Sequence, residues 1–208
     1  MIPVKVLATR VIANAAPGLR QGLGAPVGYP SLGLITTDCD DATYIALDAA
    51  TKAADVRVCY ARSFYAGAAN ATTPHAGEVI GVLAGANPED LKSGMDAVLS
   101  ALQRVGFEEV EGVPYLAHTV SSVGTFLAEE AGVRPGTAVA YLIAPPLEAM
   151  YGLDGAMKAA DVRLCKLYSP PSETNFGGGI LCGTQSACDA ACRAFAERVA
   201  EVAKRSRL

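Results

Sequence analysis

Carboxylates provide the clearest candidate chemistry in this sequence. Asp38, Asp40 and Asp41 cluster in the segment TTDCDDAT, where an apolar run passes into a helical pattern. A carboxylate at the start of a helix accepts hydrogen bonds from free backbone N–H groups, and Asp41 suits that capping role. Charged carboxylates also form strong, charge-assisted hydrogen bonds with cations. The segment therefore predicts a helix cap, a cation-binding group, or both.

Residues for covalent or acid–base catalysis are few. The two histidines are His75, in a predicted loop, and His118, in an apolar strand, and neither fits the pattern of a catalytic triad. The glycines at 177–179 precede a strand, whereas a dinucleotide-binding fingerprint follows a strand and opens a helix. We predict a protein that is not an enzyme and has no catalytic residues and no cofactor.

Six cysteines invite a test for metal or disulfide chemistry. Cys188 and Cys192 lie one helical turn apart, but no second Cys/His pair has zinc-finger spacing, so we predict no metal site. The N-terminal residues lack the pattern of a secretory signal, and no apolar run reaches membrane-spanning length. We therefore predict a cytosolic chain with reduced thiols and no membrane partner.

The charge pattern excludes another class of partner. The formal net charge is −4, and the one basic cluster, Lys204, Arg205 and Arg207, lies at the C-terminal end. Nucleic-acid binding requires clustered cations against phosphates, so we predict no nucleic-acid partner. With 18% charged and 51% hydrophobic residues, the chain is expected to share apolar surface between subunits.

The elements that must position these residues occur twice. Residues 47–59 read LDAATKAADVRVC and residues 153–165 read LDGAMKAADVRLC, with 10 of 13 positions identical at an offset of 106. A repeat at half the chain length predicts two copies of one unit, each large enough for its own core. We place the first domain at residues 1–110 and the second at 111–208, joined by a short polar link at 108–114.

Each copy is predicted to be a small α+β unit. Alternating and continuous apolar runs predict strands, and 3.6-residue periodicity predicts helices, in the same order in both copies. The expected result is a mostly antiparallel sheet with two helices on one face. In the first copy the strands are expected at 31–38, 55–65 and 78–85 and the helices at 42–54 and 87–105, after an opening segment at 5–16; the second copy opens at 115–130.

Long motifs in both copies carry a family resemblance. The segments SLGLITTDCDDATYIALDAATKAA, YARSFYAGAANA, AYLIAPPLEAMYGLD, PPSETNF and GTQSACDAAC resemble those of bacterial microcompartment shell proteins, specifically the tandem-domain ethanolamine-utilisation L type, over nearly the whole chain. The resemblance implies two circularly permuted shell (BMC) domains per chain. It also implies a homotrimer with pseudo-sixfold symmetry that joins other shell proteins in a lattice.

The resemblance also implies roles for particular residues. Asp40 and Glu78, with Thr174 and Phe107, are expected to line a small pore within each subunit and to bind ethanolamine, which is a cation at neutral pH. Glu78 has an alternative role as an edge-strand charge that blocks sheet pairing. The loops 63–77 and 168–179 are expected to surround a central, gated pore, with pore residues Phe64, Tyr65, Asn70, Glu173, Asn175 and Phe176.

The predicted function is therefore structural. The chain is expected to be a shell protein of a bacterial microcompartment for ethanolamine utilisation, located in the cytoplasm, with pores that pass or gate small metabolites. Two alternatives stay open: a soluble trimeric regulatory protein that binds a small molecule, and the equivalent tile of a choline or propanediol microcompartment. An enzyme with a site between the copies is disfavoured, because a triad, metal cluster and cofactor loop are missing from the sequence.

Overall fold

A computed structural model describes residues 1–64, 79–170, 172 and 174–205. These residues form two compact units. The N-terminal unit comprises Pro3–Gly106 with Gly124–Leu127, and the C-terminal unit comprises Met1–Ile2, Phe107–Val123 and Ala128–Leu208. The domain boundary placed between residues 110 and 111 stays a prediction.

The N-terminal unit contains a four-stranded antiparallel sheet in the order β1-β2-β4-β3. Its elements in chain order are β1 (Val6–Ile12), α1 (Pro17–Gly22), β2 (Ser31–Thr37), α2 (Asp40–Ala53), β3 (Val56–Ser63), β4 (Val79–Gly85) and α3 (Pro88–Leu102).

Helix α3 illustrates why the helices lie where they do. The side chain of Asn87 accepts a hydrogen bond from the backbone N–H of Asp90 at 2.8 Å, and Pro88 occupies the first turn, where no N–H is needed. Its buried stripe faces the sheet. Gly94 lets the helix come close, because an added Cβ would lie 3.1 Å from the Val56 side chain of β3.

The opposite face of this sheet is also covered. A second buried cluster contains Ala15, Leu32, Val82 and Ala84, and residues of the β1–β2 connection, including Leu23 and Tyr29, pack against it. The long connection between the first two strands therefore forms a second layer of the unit, which the sequence pattern did not reveal.

The C-terminal unit contains a five-stranded antiparallel sheet in the order β5-β6-β7-β9-β8. Its elements are β5 (Glu108–Val110), β6 (Val113–Val120), α4 (Thr125–Ala131, of which residues 125–127 belong to the N-terminal unit), β7 (Ala138–Ala144), α5 (Pro146–Ala159), β8 (Val162–Tyr168), β9 (Gly177–Gly183) and α6 (Gln185–Lys204).

Small residues set the helix packing of this unit. The buried ring of Phe195 on α6 lies over Gly152 of α5, where an added Cβ would lie 2.6 Å from Phe195 Cδ2. Gly178 of β9 has no room for a side chain, because a Cβ would collide with the carbonyl oxygen of Leu142 in β7. The glycines at 177–179 were predicted to precede a strand, but they lie within β9, where the missing side chains permit close backbone approach.

The two units share one topology, so the predicted α+β class of tandem domains is confirmed. The order β1, β2, α2, β3, β4, α3 recurs as β6, β7, α5, β8, β9, α6. The predicted link at 108–114 was wrong, because these residues form the hairpin β5–β6. Glu111 and Gly112 form its tight turn with φ values of 49° and 79°.

Candidate functional site

The predicted acidic cluster lies at the junction between β2 and α2. Cys39 occupies the N-cap position of α2 without a side-chain cap, and Asp40 and Asp41 stand in the first turn of the helix. The prediction that Asp41 caps the helix was therefore wrong. Negative charge in the first turn is nonetheless favourable, because it faces the positive end of the helix dipole.

The carboxylate of Asp40 is buried and oriented. Asp40 is only 8% exposed. Its Oδ1 accepts a hydrogen bond from the backbone N–H of Asp41 at 2.8 Å, and its Oδ2 accepts one from the hydroxyl of Ser63 at 2.6 Å. Ser63 ends β3, so two elements of the unit fix this carboxylate. An ionised carboxylate offers about four acceptor positions, so Asp40 retains capacity for a further donor.

Buried hydroxyls support the same junction. The hydroxyls of Thr37 and Thr43 lie 2.7 Å apart, and Thr43 donates to the carbonyl of Cys39 at 2.7 Å. The backbone N–H of Cys39 donates to Thr37 Oγ1 at 3.1 Å. Burial, followed by the nearby carboxylates, raises the pKa of the Cys39 thiol far above its usual range, so the thiol is neutral at physiological pH.

A second group of predicted residues meets in the C-terminal unit. The rings of Phe107 and Phe176 lie 5.6 Å apart at an interplanar angle of 43°, a favourable tilted arrangement. The carbonyl of Phe107 accepts a hydrogen bond from the backbone N–H of Ile2 at 2.6 Å. Phe107 therefore anchors the loop between β8 and β9.

Ser172 organises that loop, and its role was not predicted from the sequence. Its hydroxyl donates to the carbonyl of Phe176 at 2.8 Å and accepts from the backbone N–H of Thr174 at 3.2 Å. The hydroxyl of Thr174 in turn accepts from the backbone N–H of Phe176 at 3.3 Å. The Ser-x-Thr spacing in PPSETNF was the available signal, because such hydroxyls commonly bond to backbone two residues away.

The residues predicted for the central pore and for the small subunit pore differ in where the structure places them. Phe64 directly follows β3 and is 40% exposed, and Asn175 is exposed beside the braced Phe176. Asp40 belongs to the N-terminal unit, whereas Thr174 and Phe107 belong to the C-terminal unit. The predictions for Tyr65, Asn70, Glu78 and Glu173 lie outside the described residues.

A further carboxylate, Asp48 on α2, was not singled out from the sequence. It has no exposed surface; its Oδ2 accepts from the backbone N–H of Gly124 at 2.7 Å and its Oδ1 from that of Leu127 at 2.9 Å. Lys52 Nζ lies 3.3 Å from Oδ2. Both oxygens are bound by protein groups, so Asp48 holds segment 124–127 in place rather than a ligand.

Two other properties bear on function. Within the described ranges, no group of three or more His, Cys, Asp or Glu side chains is placed to hold a metal ion. No helix in the described part of the chain is both long and apolar enough to cross a membrane.

Comparison with known proteins gives consistent results. Residues 31–113 match the family model of the BMC domain. The chain is 54% identical over 207 residues to the bacterial microcompartment shell protein EutL of Clostridium perfringens, covering 98% of this chain and 95% of that protein. It is 46% identical over 208 residues to EutL of Escherichia coli K12, with the same coverage.

The fold agrees with solved structures of related proteins. The crystal structure of the ethanolamine utilization protein EutL from Leptotrichia buccalis superposes with a TM-score of 0.95 at 52% identity, covering all of this chain and 97% of that one. EtuB of Clostridium kluyveri, 21% identical over 95% of this chain and 88% of that one, shares the fold with a TM-score of 0.81. The chain belongs to the EutL family of bacterial microcompartment shell proteins.

Proposed function

We propose that this protein is a structural, non-enzymatic shell protein of a bacterial microcompartment for ethanolamine utilisation. The proposal rests on the sequence identity of 46–54% to EutL shell proteins over 98% of the chain, together with the fold that the proteins share. The protein would take its place in the shell beside other shell proteins and pass small metabolites through its pores.

The doubled architecture supports assembly as a homotrimer. Each chain carries two units of the same topology, so three chains present six similar units around one axis. A closed ring of this kind offers six comparable edges to neighbouring tiles. The trimer thereby acquires the pseudo-sixfold symmetry that a hexagonal protein sheet requires.

Ethanolamine is the ligand that suits the carboxylate of Asp40. The molecule carries a positive charge at neutral pH, and Asp40 presents a buried carboxylate already aimed by Ser63 and by the backbone of α2. A charge-assisted hydrogen bond to such a group contributes about 1.5–3 kcal/mol net. Glu78 is proposed as the second carboxylate, and Thr174 and Phe107 stay predictions from the family resemblance.

The site is proposed to occur once in each chain. At the offset of 106, Asp40 corresponds to Pro146 and Asp41 to Leu147, and α5 begins at Pro146 as α2 begins at Asp40. The second copy therefore has no carboxylate at the position of Asp40. One ethanolamine per chain, or three per trimer, is the stoichiometry expected.

The loops 63–77 and 168–179 are proposed to line and gate the central pore. Two of the proposed pore residues lie in the described part of the chain and are exposed. They are Phe64, which follows β3, and Asn175, in the second loop. The second loop is braced by Ser172 and by the pair Phe107–Phe176. A change in pore width would then require that bracing to rearrange.

Electron microscopy and calorimetry test the proposal separately. Purified protein should form trimers by native mass spectrometry and hexagonal sheets at high concentration; soluble trimers that never form sheets would favour a regulatory binding protein. Calorimetry with ethanolamine should give one site per chain, weakened roughly 10-fold or more by Asp40→Asn or Glu78→Gln. Asp154→Asn, an exposed substitution in the second copy, is the control.

Related ligands separate the types of microcompartment. Choline has a positive charge but no N–H donor, and propane-1,2-diol has no charge, so both should bind more weakly than ethanolamine if a charge-assisted hydrogen bond to Asp40 dominates. Equal or tighter binding of either molecule would assign the tile to a choline or propanediol compartment instead.

A further inference from the structure

Two thiols lie together on adjacent strands of the C-terminal unit. Cys165 is the extra residue of a β-bulge in β8, between Leu164 and Lys166, and Cys182 lies on β9 opposite Arg163. The Cys165 thiol donates to the carbonyl of Arg163, the residue that pairs with Cys182, at 3.5 Å, and it lies close enough to Cys182 for the two thiols to interact electrostatically. Both residues are partly exposed, whereas Cys188 and Cys192 of α6 are buried.

The first copy of the repeat has the same bulge but only one thiol. Cys59 occupies the bulge of β3, and Arg57 pairs with Ala84 of β4 as Arg163 pairs with Cys182. The Cys59 thiol donates to the carbonyl of Val82 at 3.5 Å. The position equivalent to Cys182 in the first copy is therefore an alanine, and the thiol pair is particular to the second copy.

We propose that Cys165 and Cys182 form a reversible intramolecular disulfide, which makes this strand pair a redox-modification site. Because Arg163 pairs with Cys182, a thiol bound to the Arg163 carbonyl lies beside Cys182, and rotation of the two side chains can bring the sulfurs to the S–S bond length of about 2.05 Å. The bond would close the chain between residues 165 and 182, which includes the loop between β8 and β9. The inference does not depend on the ethanolamine site.

The oxidant is a low-molecular-weight disulfide such as oxidised glutathione. The thiolate of one cysteine attacks a glutathione sulfur, forming a mixed disulfide and releasing one glutathione thiolate. The second protein thiolate then attacks the protein sulfur of the mixed disulfide and releases the other glutathione. Two electrons pass from the cysteines to glutathione disulfide, and the two thiol protons end on the two reduced glutathione molecules.

The local environment sets the conditions for the reaction. Burial, followed by the interaction with Cys182, raises the pKa of Cys165 to about 12. Its thiol is therefore protonated at neutral pH. While the pH is below the pKa, each increase of one pH unit raises the thiolate fraction about tenfold. The site is expected to be reduced when no oxidant is present and to oxidise faster at pH 9 than at pH 7.

The test uses the full-length assembled protein and oxidised glutathione. After incubation at pH 9, free thiols are blocked with N-ethylmaleimide and the protein is digested with trypsin. The expected product is the peptide 164–166, which contains Cys165, linked to the peptide 167–193, which contains Cys182. Reduction with dithiothreitol should release both peptides.

Variants assign the bond to one pair. Cys182→Ala copies the residue that the first copy has at Ala84 and should abolish the link, whereas Cys188→Ala should leave it intact. The peptide 58–62, with Cys59, should stay fully alkylated as an internal control. The proposal is overturned if only glutathione adducts form, or if a linked peptide persists in the Cys182→Ala variant.

Amide hydrogen exchange tests the effect on the loop. In the oxidised protein, exchange at Thr174, Asn175 and Phe176 should be slower by a factor of several than in Cys182→Ala protein treated in the same way. Equal exchange in the two samples would overturn the proposed constraint on the loop.

Discussion

Asp48 allows a sharp test of how segment 124–127 is held. The substitution Asp48→Asn keeps the shape of the side chain but replaces one acceptor oxygen with an NH2 donor. The backbone N–H groups of Gly124 and Leu127 each need an acceptor at this site, at 2.7 and 2.9 Å. After the substitution one of them faces another donor, in a place with no exposed surface.

The expected magnitude depends on the hydrogen bond that the substitution removes. The charge-assisted hydrogen bond that is lost contributes about 1.5–3 kcal/mol net, a figure that includes the desolvation of the buried N–H left without an acceptor. Lys52 is partly exposed, so its ion pair with Asp48 adds less than about 1 kcal/mol. We expect the free energy of unfolding to fall by about 2–4 kcal/mol.

The repeat supplies a matched control. Asp154 is the equivalent residue of the second copy and pairs with Lys158 at 2.7 Å, as Asp48 pairs with Lys52, but its side chain is 56% exposed. Asp154→Asn should change stability by less than about 0.5 kcal/mol. Urea unfolding of both variants at one protein concentration is the assay, with the m-value checked for constancy. Equal losses of stability in the two variants would refute the role assigned to Asp48.

Two further predictions concern local packing. Gly178→Ala should destabilise the protein by more than about 3 kcal/mol or prevent folding, because the added Cβ meets the backbone of Leu142. Gly18→Ala is the control, because Gly18 has open space around it and the substitution should be neutral. Thermal unfolding measures both variants. Phe107→Ala removes the contact with Phe176 and should cost about 0.5–1.5 kcal/mol in addition to the free energy of the lost apolar burial. The substitution should also accelerate amide exchange in the β8–β9 loop. Unchanged exchange would show that the aromatic pair does not anchor that loop.

The element order was predictable because it depends on local patterns that occur twice in the chain. Alternating apolar residues indicated the strands, and the stripe through Leu91, Met95 and Val98 indicated α3. The hairpin β5–β6 was not predicted, because its first strand has only three residues and its turn is Glu-Gly rather than the usual Asn-Gly. Short polar strands carry little periodicity, so they resemble links.

The environment of a residue was harder to predict than its element. LDAATK and LDGAMK give Asp48 and Asp154 nearly identical neighbours in sequence, yet one is buried and the other exposed. The difference arises from residues 124–127, which lie more than 70 positions away from Asp48. A long-range partner leaves no trace in the local pattern, so burial of a carboxylate cannot be read from its own helix.

The two copies have diverged at a few positions on a shared scaffold. The strand–helix junction carries Asp40 in the first copy and Pro146 in the second. Conversely, the second copy has Cys182 where the first has Ala84. The proposed binding and redox chemistry thus belong to different copies of one fold. Because each chemical group occurs once per chain, the proposed trimer would have three copies of each group among six units of one topology, which a ring of six identical single domains does not provide.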